Sequence, residues 1–561
     1  MYMFCYQCQE ASEGKACVAK GNCGKTEDIA KAQDLLMFIA KGVSVFTVKA
    51  RDLGIENIQA DNFVIESLCT TITNANFDKD LIYDKVRQGL KLKWQVKKQL
   101  TEAGVKFNGD IGWFKNMLSF WGLAKKEKQF YLPDAAVWHA TDIKVFEGKG
   151  SQVGVLSTKD EDIRSLREFL IYGLKGLAAN VKRSENLVDK QDKFHAFIQK
   201  ALVITLDNAQ EIDDLLALVL ECGKYGAEIM ELLEKINVSN YGVPEITMVN
   251  TEVGIKPGIL VAGNNFKDLD ELLKQTEDKN IDIYTHGDML MANCYPKFKK
   301  YKNLIGNYGN SWWKQNEEFE SFKGPVIVTS SCLMPPLPSY KDRLFTTGVV
   351  AYPGTVVIPH SNDGSPKDFT AIIEKAKTCQ SPIQIGKGEI ESGYGHDQSD
   401  IIKNKIKEAV KCEKLKRIVV IAGEDGRSAS RKYYTKAAEE LPDDAVILTA
   451  GCVKYRFNKL ISGYIGDLPK VIDFGQCNDI YLLASMIMKL KEELEAEGVK
   501  EIPITFNYSW YSQESIIVLL SLLHLNFKNI NIGPSFPAFM SKKIMKSFAD
   551  EFELRNIPGC N

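Results

Sequence analysis

RIVVIAGEDG, residues 417–426, is the stretch on which the fold turns. A run of β-branched and apolar residues closes on Ala422-Gly423 and then meets charge at Glu424 and Asp425. A short apolar run closed by small residues reads as a buried strand. The texture recurs on both sides, in GILVAG (258–263), IDIYTHG (281–287), GPVIVTSSC (324–332) and AVILTAGC (445–452). Helical patterning follows each run, as at 266–275. That alternation predicts parallel βαβ units, arranged as two α/β domains that meet near residue 390. ESGYGHDQSD (391–400) is the most plausible joint.

Upstream the period changes. Residues 28–53, 160–177, 188–203 and 210–236 carry apolar positions at helical spacing. Asn76-Phe77-Asp78 caps a second long helix that runs to about Glu102. Residues 106–157 read as irregular, with Trp113, Trp121 and Trp138. The expected architecture is multidomain α and α/β: a helical domain over 1–240, then α/β domains over 241–390 and 391–561.

At the head of the helical part stands MYMFCYQCQEASEGKACVAKGNCGK (1–25), with Cys5, Cys8, Cys17 and Cys23 spaced C-x2-C-x8-C-x5-C. The short first gap lets Cys5 and Cys8 aim at one centre, and the later pair can complete a four-thiolate cage. Disulfides are disfavoured, because nothing marks the chain for export. Zinc and iron–sulfur both stay open on spacing alone.

Composition narrows the classes. The chain has 561 residues and a net charge of −2, so no bulk basic surface points to nucleic acid or an anionic membrane. No apolar run reaches membrane-spanning length; the longest candidate, Ile516 to Leu525, is short and holds His524. A cytoplasmic location follows as the expectation. There, the 13 cysteines are ligands, catalytic groups or buried hydrophobes.

Strand ends supply a second group. Cys332, Cys452 and Cys477 follow apolar runs, as do Asp288 (after YTHG) and Glu424 (after VIAG). In α/β sheets ligands bind at the carboxyl ends of strands. Three thiolates there can cradle a second cluster, although buried structural cysteines would look the same. His286 is read as bonding a backbone carbonyl. His360, His396 and His524 show no metal spacing. Cys69, Cys222, Cys379, Cys412 and Cys560 are read as inert or solvated thiols. No nicotinamide or flavin fingerprint appears, so electrons must come from a partner, expected to be a small ferredoxin-like redox protein.

The motifs FCYQCQE (4–10), GNCGK (21–25), TNANFD (73–78), LLKQTE (272–277), YTHGDML (284–290), IGNYG (305–309), KYYTK (432–436), ILTAGC-x-K-x-RF (447–457), FGQCND (474–479) and SWY-x-Q (509–513) span the chain. With them the sequence resembles the hybrid-cluster (prismane) family, the hydroxylamine reductases. The resemblance implies a helical domain plus two Rossmann-like α/β domains, and anaerobic electron transfer from a proximal cluster to a buried inner one. It also implies reduction of hydroxylamine to ammonia, or of nitric oxide to nitrous oxide. The spacing at Cys5, Cys8, Cys17 and Cys23 resembles the members with a proximal [4Fe-4S] cluster.

The same resemblance exposes departures at the inner ligands, which in the family are a histidine, two glutamates and four cysteines, one of them a persulfide. Asn264 stands at the histidine position and Asp288 at the first glutamate. Cys332, Cys452 and Cys477 are retained. Glu424 stands at the persulfide cysteine, Ser512 at the second glutamate, and Glu514 where a lysine follows. Cys294, six residues beyond Asp288, is a candidate source of compensating sulfur. The expectation is an iron–sulfur oxidoreductase with a [4Fe-4S] cluster and a remodelled inner iron–sulfur or iron–sulfur–oxygen cluster. The alternatives are a non-catalytic electron carrier or redox sensor with only the proximal cluster, or a different small-molecule redox reaction at the altered site.

Overall fold

The computed structural model describes residues 3–107, 132–184, 192–207, 210–330, 332–359, 365–395, 397–496 and 504–557. Trp113, Trp121, His360, His396 and Cys560 lie outside the described residues. The N-terminal half is helical, with long helices over Glu27–Asp52, Lys79–Glu102, Glu161–Ser184, Asp192–Ile204 and Ile212–Tyr241. The expected cap is real: Asp78 accepts from the amides of Asp80 and Leu81. One helix, Ile58–Thr70, is an addition to the sequence reading. Asn57 caps it, and Phe63, Val64 and Leu68 give it a buried face. Where described, the stretch expected to be irregular, 106–157, holds short helices at Asp134–Val137 and Ile143–Gly150.

Beyond Tyr241 the chain alternates between strands and helices. After β1 (Thr247–Asn250) come β2 (Gly258–Ala262), β3 (Asp282–His286), β4 (Leu304–Asn307), β5 (Val326–Val328), β6 (Leu344–Thr347) and β7 (Val356–Ile358). The last six form a parallel sheet in the order β4-β3-β2-β5-β6-β7. β8 (Glu389–Ser392) returns antiparallel to β1, with Ser392 opposite Thr247. Then follow β9 (Arg417–Gly423), β10 (Ala445–Thr449), a small hairpin of β11 (Tyr464–Ile465) and β12 (Leu468–Pro469), β13 (Val471–Asp473), β14 (Ile504–Ser509), β15 (Ile530–Gly533) and β16 (Arg555–Asn556). They build a second parallel sheet, β13-β10-β9-β14-β15-β16.

Each sheet reverses direction of growth at a central strand. β2 has β3 on one side and β5 on the other; β9 has β10 and β14. A crevice opens at the carboxyl ends of strands where the order reverses. The residues that leave those ends are Asn264 after β2, Asp288 after β3, Cys332 after β5, Glu424 after β9, Cys452 after β10, Cys477 after β13 and Ser512 after β14.

The helical layer is completed from the other end of the chain. Helix Gln513–His524 is buried along nearly its whole length and lies against helices Glu161–Ser184 and Ile212–Tyr241. Glycines make the approach possible. A Cβ at Gly176 would stand 2.3 Å from the Gln513 carbonyl oxygen, and one at Gly223 only 2.1 Å from that of Leu520. Among the described residues no helix is long and apolar enough to cross a membrane.

Candidate metal centres

At the N-terminal loop, Cys5 and Cys17 pair backbone to backbone, N···O 2.8 and 3.1 Å, which draws the two ends of the loop together. Cys8, Cys17 and Cys23 are buried. Gly21 leaves room for Cys23, since a Cβ there would stand 3.0 Å from its sulfur. Lys25 is buried among these thiols, Nζ 4.0 Å from Cys5 Sγ. Burial pushes the Cys8 and Cys23 thiols up, neighbouring thiols add to it, and Lys25 pulls Cys23 back down. Burial works against the Lys25 ammonium, yet Cys5 and Cys23 hold its pKa above the usual value.

The donor set is four sulfurs and one ammonium. Thiolates sharing one tetrahedral zinc at about 2.3 Å would stand within about 4 Å of one another. Among the described residues no group of three or more Cys, His, Asp or Glu side chains is set to hold a single ion. Three of these thiols are buried and Cys5 is half-buried, and a set of this kind can hold either a zinc ion or an iron–sulfur cluster.

The loop is bolted to the C-terminal half. The Gln9 amide donates to the Tyr511 carbonyl at 3.0 Å, and Gln513 Nε2 donates to the Gln7 carbonyl. Arg427, just past Glu424-Asp425-Gly426, donates to Glu10 from its amide at 2.6 Å and from Nε at 3.0 Å, and forms an ion pair with it. Arg431, fully buried, spans the same seam. It donates to the Glu424 carbonyl (3.0 Å), Ser509 Oγ (2.7 Å), Gln9 Oε1 (3.1 Å) and the Trp510 carbonyl (2.6 Å).

The strand ends converge on a second centre. Asn264, Asp288, Cys332, Glu424, Cys452 and Cys477 line one cavity, together with His286 and Glu514. Cys332 has φ +81°, a left-handed conformation that costs a non-glycine residue about 1–3 kcal/mol. Its surroundings impose it. Gln315 donates to the Cys332 carbonyl at 2.7 Å and accepts from the Met334 amide at 3.1 Å, while the Leu333 amide reaches the Asn74 carbonyl at 2.7 Å. Cys452 receives an N–H from Asp425 at 3.1 Å. Cys477 opens a short 3-10 turn that leads into helix Ile480–Ala496. Burial, with nearby carboxylates, pushes all three thiols well up. Thiols so placed ionise when a cationic centre takes them as ligands.

The two carboxylates differ. Glu424 is tied: its oxygens accept from the Ser512 amide (2.6 Å), Ser512 Oγ (2.8 Å) and Ser515 Oγ. Burial and Glu514 raise its pKa, and the serine donors oppose them. Among the described residues Asp288 Oδ1 is enclosed without a hydrogen-bond partner, as is Asn264 Oδ1. Burial pushes Asp288 up to about 7, Lys454 opposes it, and Glu424 adds to it. Buried acceptors without donors are costly. A wall of three thiols and two oxygens without donors among the described residues offers electron pairs to a cationic centre, the thiols giving up their protons as they bind.

Other sequence candidates fall differently. Ser512 reaches the site through Glu424 and caps helix Gln513–His524. Cys294 lies apart from the cavity, fully buried beside Ser392 and Gly393. His286 bonds a carboxylate where a backbone carbonyl was expected: Nε2 is 2.8 Å from Glu318 Oε2. Glu514 stands 3.4 Å from Asn264 Nδ2 and 3.6 Å from Arg183.

Several partners are absent from the sequence reading. Trp312 packs on Tyr511, ring centroids 4.6 Å apart, and both sit with Cys452, Cys332 and Met334. Tyr511 also meets the proximal loop, its carbonyl accepting from the Gln9 amide at 3.0 Å. Lys454 is buried against Asp473 at 2.5 Å, and Arg456 holds Asp425 at 2.9 Å. Their signal was available in ILTAGC-x-K-x-RF, where two cations, buried Lys454 and half-buried Arg456, follow Cys452 at alternate positions.

The pattern of the Prismane/CO dehydrogenase family matches residues 3–558. A protein named hydroxylamine reductase from Clostridium tetani (strain Massachusetts / E88) is 52% identical over 99% of this chain and 98% of its own length. One of the same name from Clostridium botulinum (strain Loch Maree / Type A3) is 52% identical, with the same coverage. Among solved structures, the acetyl-CoA synthase/carbon monoxide dehydrogenase described with NiZn[Fe4S4] and NiNi[Fe4S4] clusters aligns with a TM-score of 0.52 at 14% identity, over 98% of this chain and 84% of that one. At that identity the likeness concerns the fold.

Proposed function

The chain belongs to the Prismane/CO dehydrogenase family, and on that premise we propose that it is an iron–sulfur oxidoreductase whose substrate is hydroxylamine, with nitric oxide as the related alternative. In the hydroxylamine reaction the N–O bond breaks, and equal numbers of electrons and protons leave ammonia and water. Cys5, Cys8, Cys17 and Cys23 hold a [4Fe-4S] cluster in this reading; Cys332, Cys452 and Cys477 hold the inner one. The clusters, when bound, supply one-electron transfer and a Lewis-acidic metal.

The observation that carries the reading is two separate cysteine groups joined at Tyr511, which packs on Trp312 beside Cys332 and Cys452 and accepts through its carbonyl from Gln9 of the proximal loop at 3.0 Å. The chain's own side chains do the positioning. Lys25 places positive charge among the proximal thiols. Arg427 on Glu10, and Arg431 across the seam, hold the proximal loop at a fixed distance from the strand ends. Gln315 holds Cys332 in its left-handed turn. Asn264, Ser330 and Glu514 are shared with an adjoining cavity of about 90 Å³, roomy enough for a molecule of a few atoms and little more. Sites for larger ligands run to about 300–1,000 Å³. The electron donor is an external small redox protein.

A second reading has its own support. Glu424 bonded to Ser512 and Ser515 fills part of the inner wall with groups that satisfy each other, as a carrier or sensor without an inner cluster would allow. Anaerobically prepared protein separates the two. About eight irons per chain, together with hydroxylamine turnover driven by a reduced viologen, supports the reductase. About four irons and no turnover would replace it with the carrier.

A further inference from the structure

We propose that the helical domain holds a second ligand site, a pocket for a free α-amino acid, with Asp34 and Glu168 receiving its ammonium and Lys41 and Lys175 its carboxylate. The proposal does not depend on the inner centre or on the reaction assigned to it.

The pocket has a volume of about 520 Å³ and lies among helix Glu27–Asp52, helix Glu161–Ser184 and segment 152–158. Sites for small organic ligands run to about 300–1,000 Å³. Asp34 and Lys41 stand seven residues apart on the first helix, and Glu168 and Lys175 stand seven apart on the second. Seven residues make about two turns, so each helix carries one carboxylate and one lysine on the same side. The chain neighbours Leu35, Ala40, Phe169 and Leu174 are fully buried, so these charges are set into the packed part of each helix and open on the pocket. Gly154 gives the Asp34 carboxylate its room, since a Cβ there would stand 2.5 Å from Oδ2.

The four charges face one space and do not meet. Among the described residues none of them forms an ion pair. Burial accordingly outweighs the opposite charges across the pocket: it pushes Asp34 up to about 7, Glu168 upward, and Lys41 and Lys175 down to about 8. Lys175 is anchored on Gln7 Oε1 and on the Thr71 carbonyl, each at 3.1 Å. An ammonium has three donors, so one remains for a ligand. The other charges on the wall are already answered. Lys149 pairs with Asp134, Arg167 donates to Gln210, Thr158 and the Asp207 carbonyl, and Lys25 stands beside Cys5.

The class of ligand follows from balance and separation together. Two carboxylates and two ammoniums cancel, so the four draw neither a simple anion nor a simple cation. None touches its opposite, so each gains from a counter-charge that water does not supply. The molecule that answers both signs carries both. Met37, Phe38 and Ile171 add an apolar stretch of wall for its side chain.

Isothermal titration of the anaerobic, full-length holoprotein with each of the standard amino acids tests this, with succinate and putrescine as probes of a single sign. At least one amino acid is expected to bind at about one per chain, and succinate and putrescine about tenfold more weakly or worse. Lys41→Met and Glu168→Gln are each expected to weaken that amino acid by about tenfold or more, and Lys41→Arg to recover most of the affinity that methionine loses. Urea midpoints on the same samples separate a lost site from a lost fold. Binding of no amino acid, binding of succinate or putrescine as tight as that of the amino acid, or affinity unchanged in either folded variant would overturn the proposal.

Discussion

Arg431 offers the sharpest test of how the two cysteine groups are held together. It is a fully buried cation whose partners are carbonyls, an amide oxygen and a hydroxyl; among the described residues no carboxylate is hydrogen-bonded to it. Its four hydrogen bonds come from a charged donor, each worth about 1.5–3 kcal/mol, which sets a ceiling of about 6–12 kcal/mol. Desolvating the guanidinium takes back several kcal/mol. Replacing it with methionine keeps the bulk and removes every donor. The Glu424 carbonyl keeps a bond from Ser509 Oγ, so the Trp510 carbonyl and Gln9 Oε1 bear the loss. At about 1–3 kcal/mol for each orphaned acceptor, Arg431→Met should cost about 3–5 kcal/mol. Arg431→Lys keeps the charge but cannot fork across the seam, and should cost about half as much. Urea unfolding followed by tryptophan emission measures both, with iron content recorded on the same samples. A methionine variant within about 1 kcal/mol of the natural protein would refute the reasoning, because the seam would then be held elsewhere.

Three further outcomes follow from other parts of the structure. Gly223→Ala places a methyl 2.1 Å from the Leu520 carbonyl oxygen, so helices Ile212–Tyr241 and Gln513–His524 must part; a loss of about 2–3 kcal/mol in urea unfolding is expected, and an unchanged midpoint would count against the close approach. Burial works against ionised Glu66, but Lys85 and Lys182 outweigh it and hold its pKa down to about 2. Because the folded value lies below the unfolded value of about 4.3, the contribution is present above that pH and is lost as pH falls towards 2. The full shift corresponds to about 3 kcal/mol, and partial exposure reduces it. Glu66→Gln should therefore cost about 1–2 kcal/mol at neutral pH, with the gap to the natural protein closing in acid; a pH-independent gap would contradict the pairing. Removing iron with a chelator should let the Cys5–Cys23 loop open, so trypsin should cut at exposed Lys15 and Lys20 several-fold faster; equal cutting rates before and after would mean that the metal does not hold the loop.

Five strands were legible because each is a short apolar run with its own stop, whereas others, such as LIGN of β4 and LFTT of β6, are too short and polar to stand out. RIVVIAG became β9 and AVILT became β10 with little shift in boundary. The strand-end address of Cys332, Cys452 and Cys477 followed from the same runs, since parallel strands deliver their next residues to one edge. What the sequence hid was pairing across distance. Glu424 and Ser512 lie 88 residues apart, and nothing local to either marks them as partners. His286 finds Glu318 because β3 and helix Gln315–Phe322 come together only in the folded chain. Helix Ile58–Thr70 was passed over for a different reason. Its apolar positions are spaced for a helix, but Asn62 and Glu66 break up the run. The helical face cut for Gln513–His524 left one trace, the glycines at 176, 223 and 226, which read as nothing in particular until a second backbone lies against them.

That helix bears on how the protein is made. The ribosome delivers the helices of the first 240 residues long before residues 513–524, yet their apolar groove is filled by that late segment. The Cys5–Cys23 loop is in the same position, because the Gln7 carbonyl accepts from Gln513 and the Gln9 amide donates to the Tyr511 carbonyl. A growing chain therefore carries an unfinished groove and an unanchored cysteine loop for most of its synthesis, a period in which chaperone cover and thiol protection matter. Iron delivery to the loop is best timed after residues 511–513 have been made and have closed over Gln7 and Gln9.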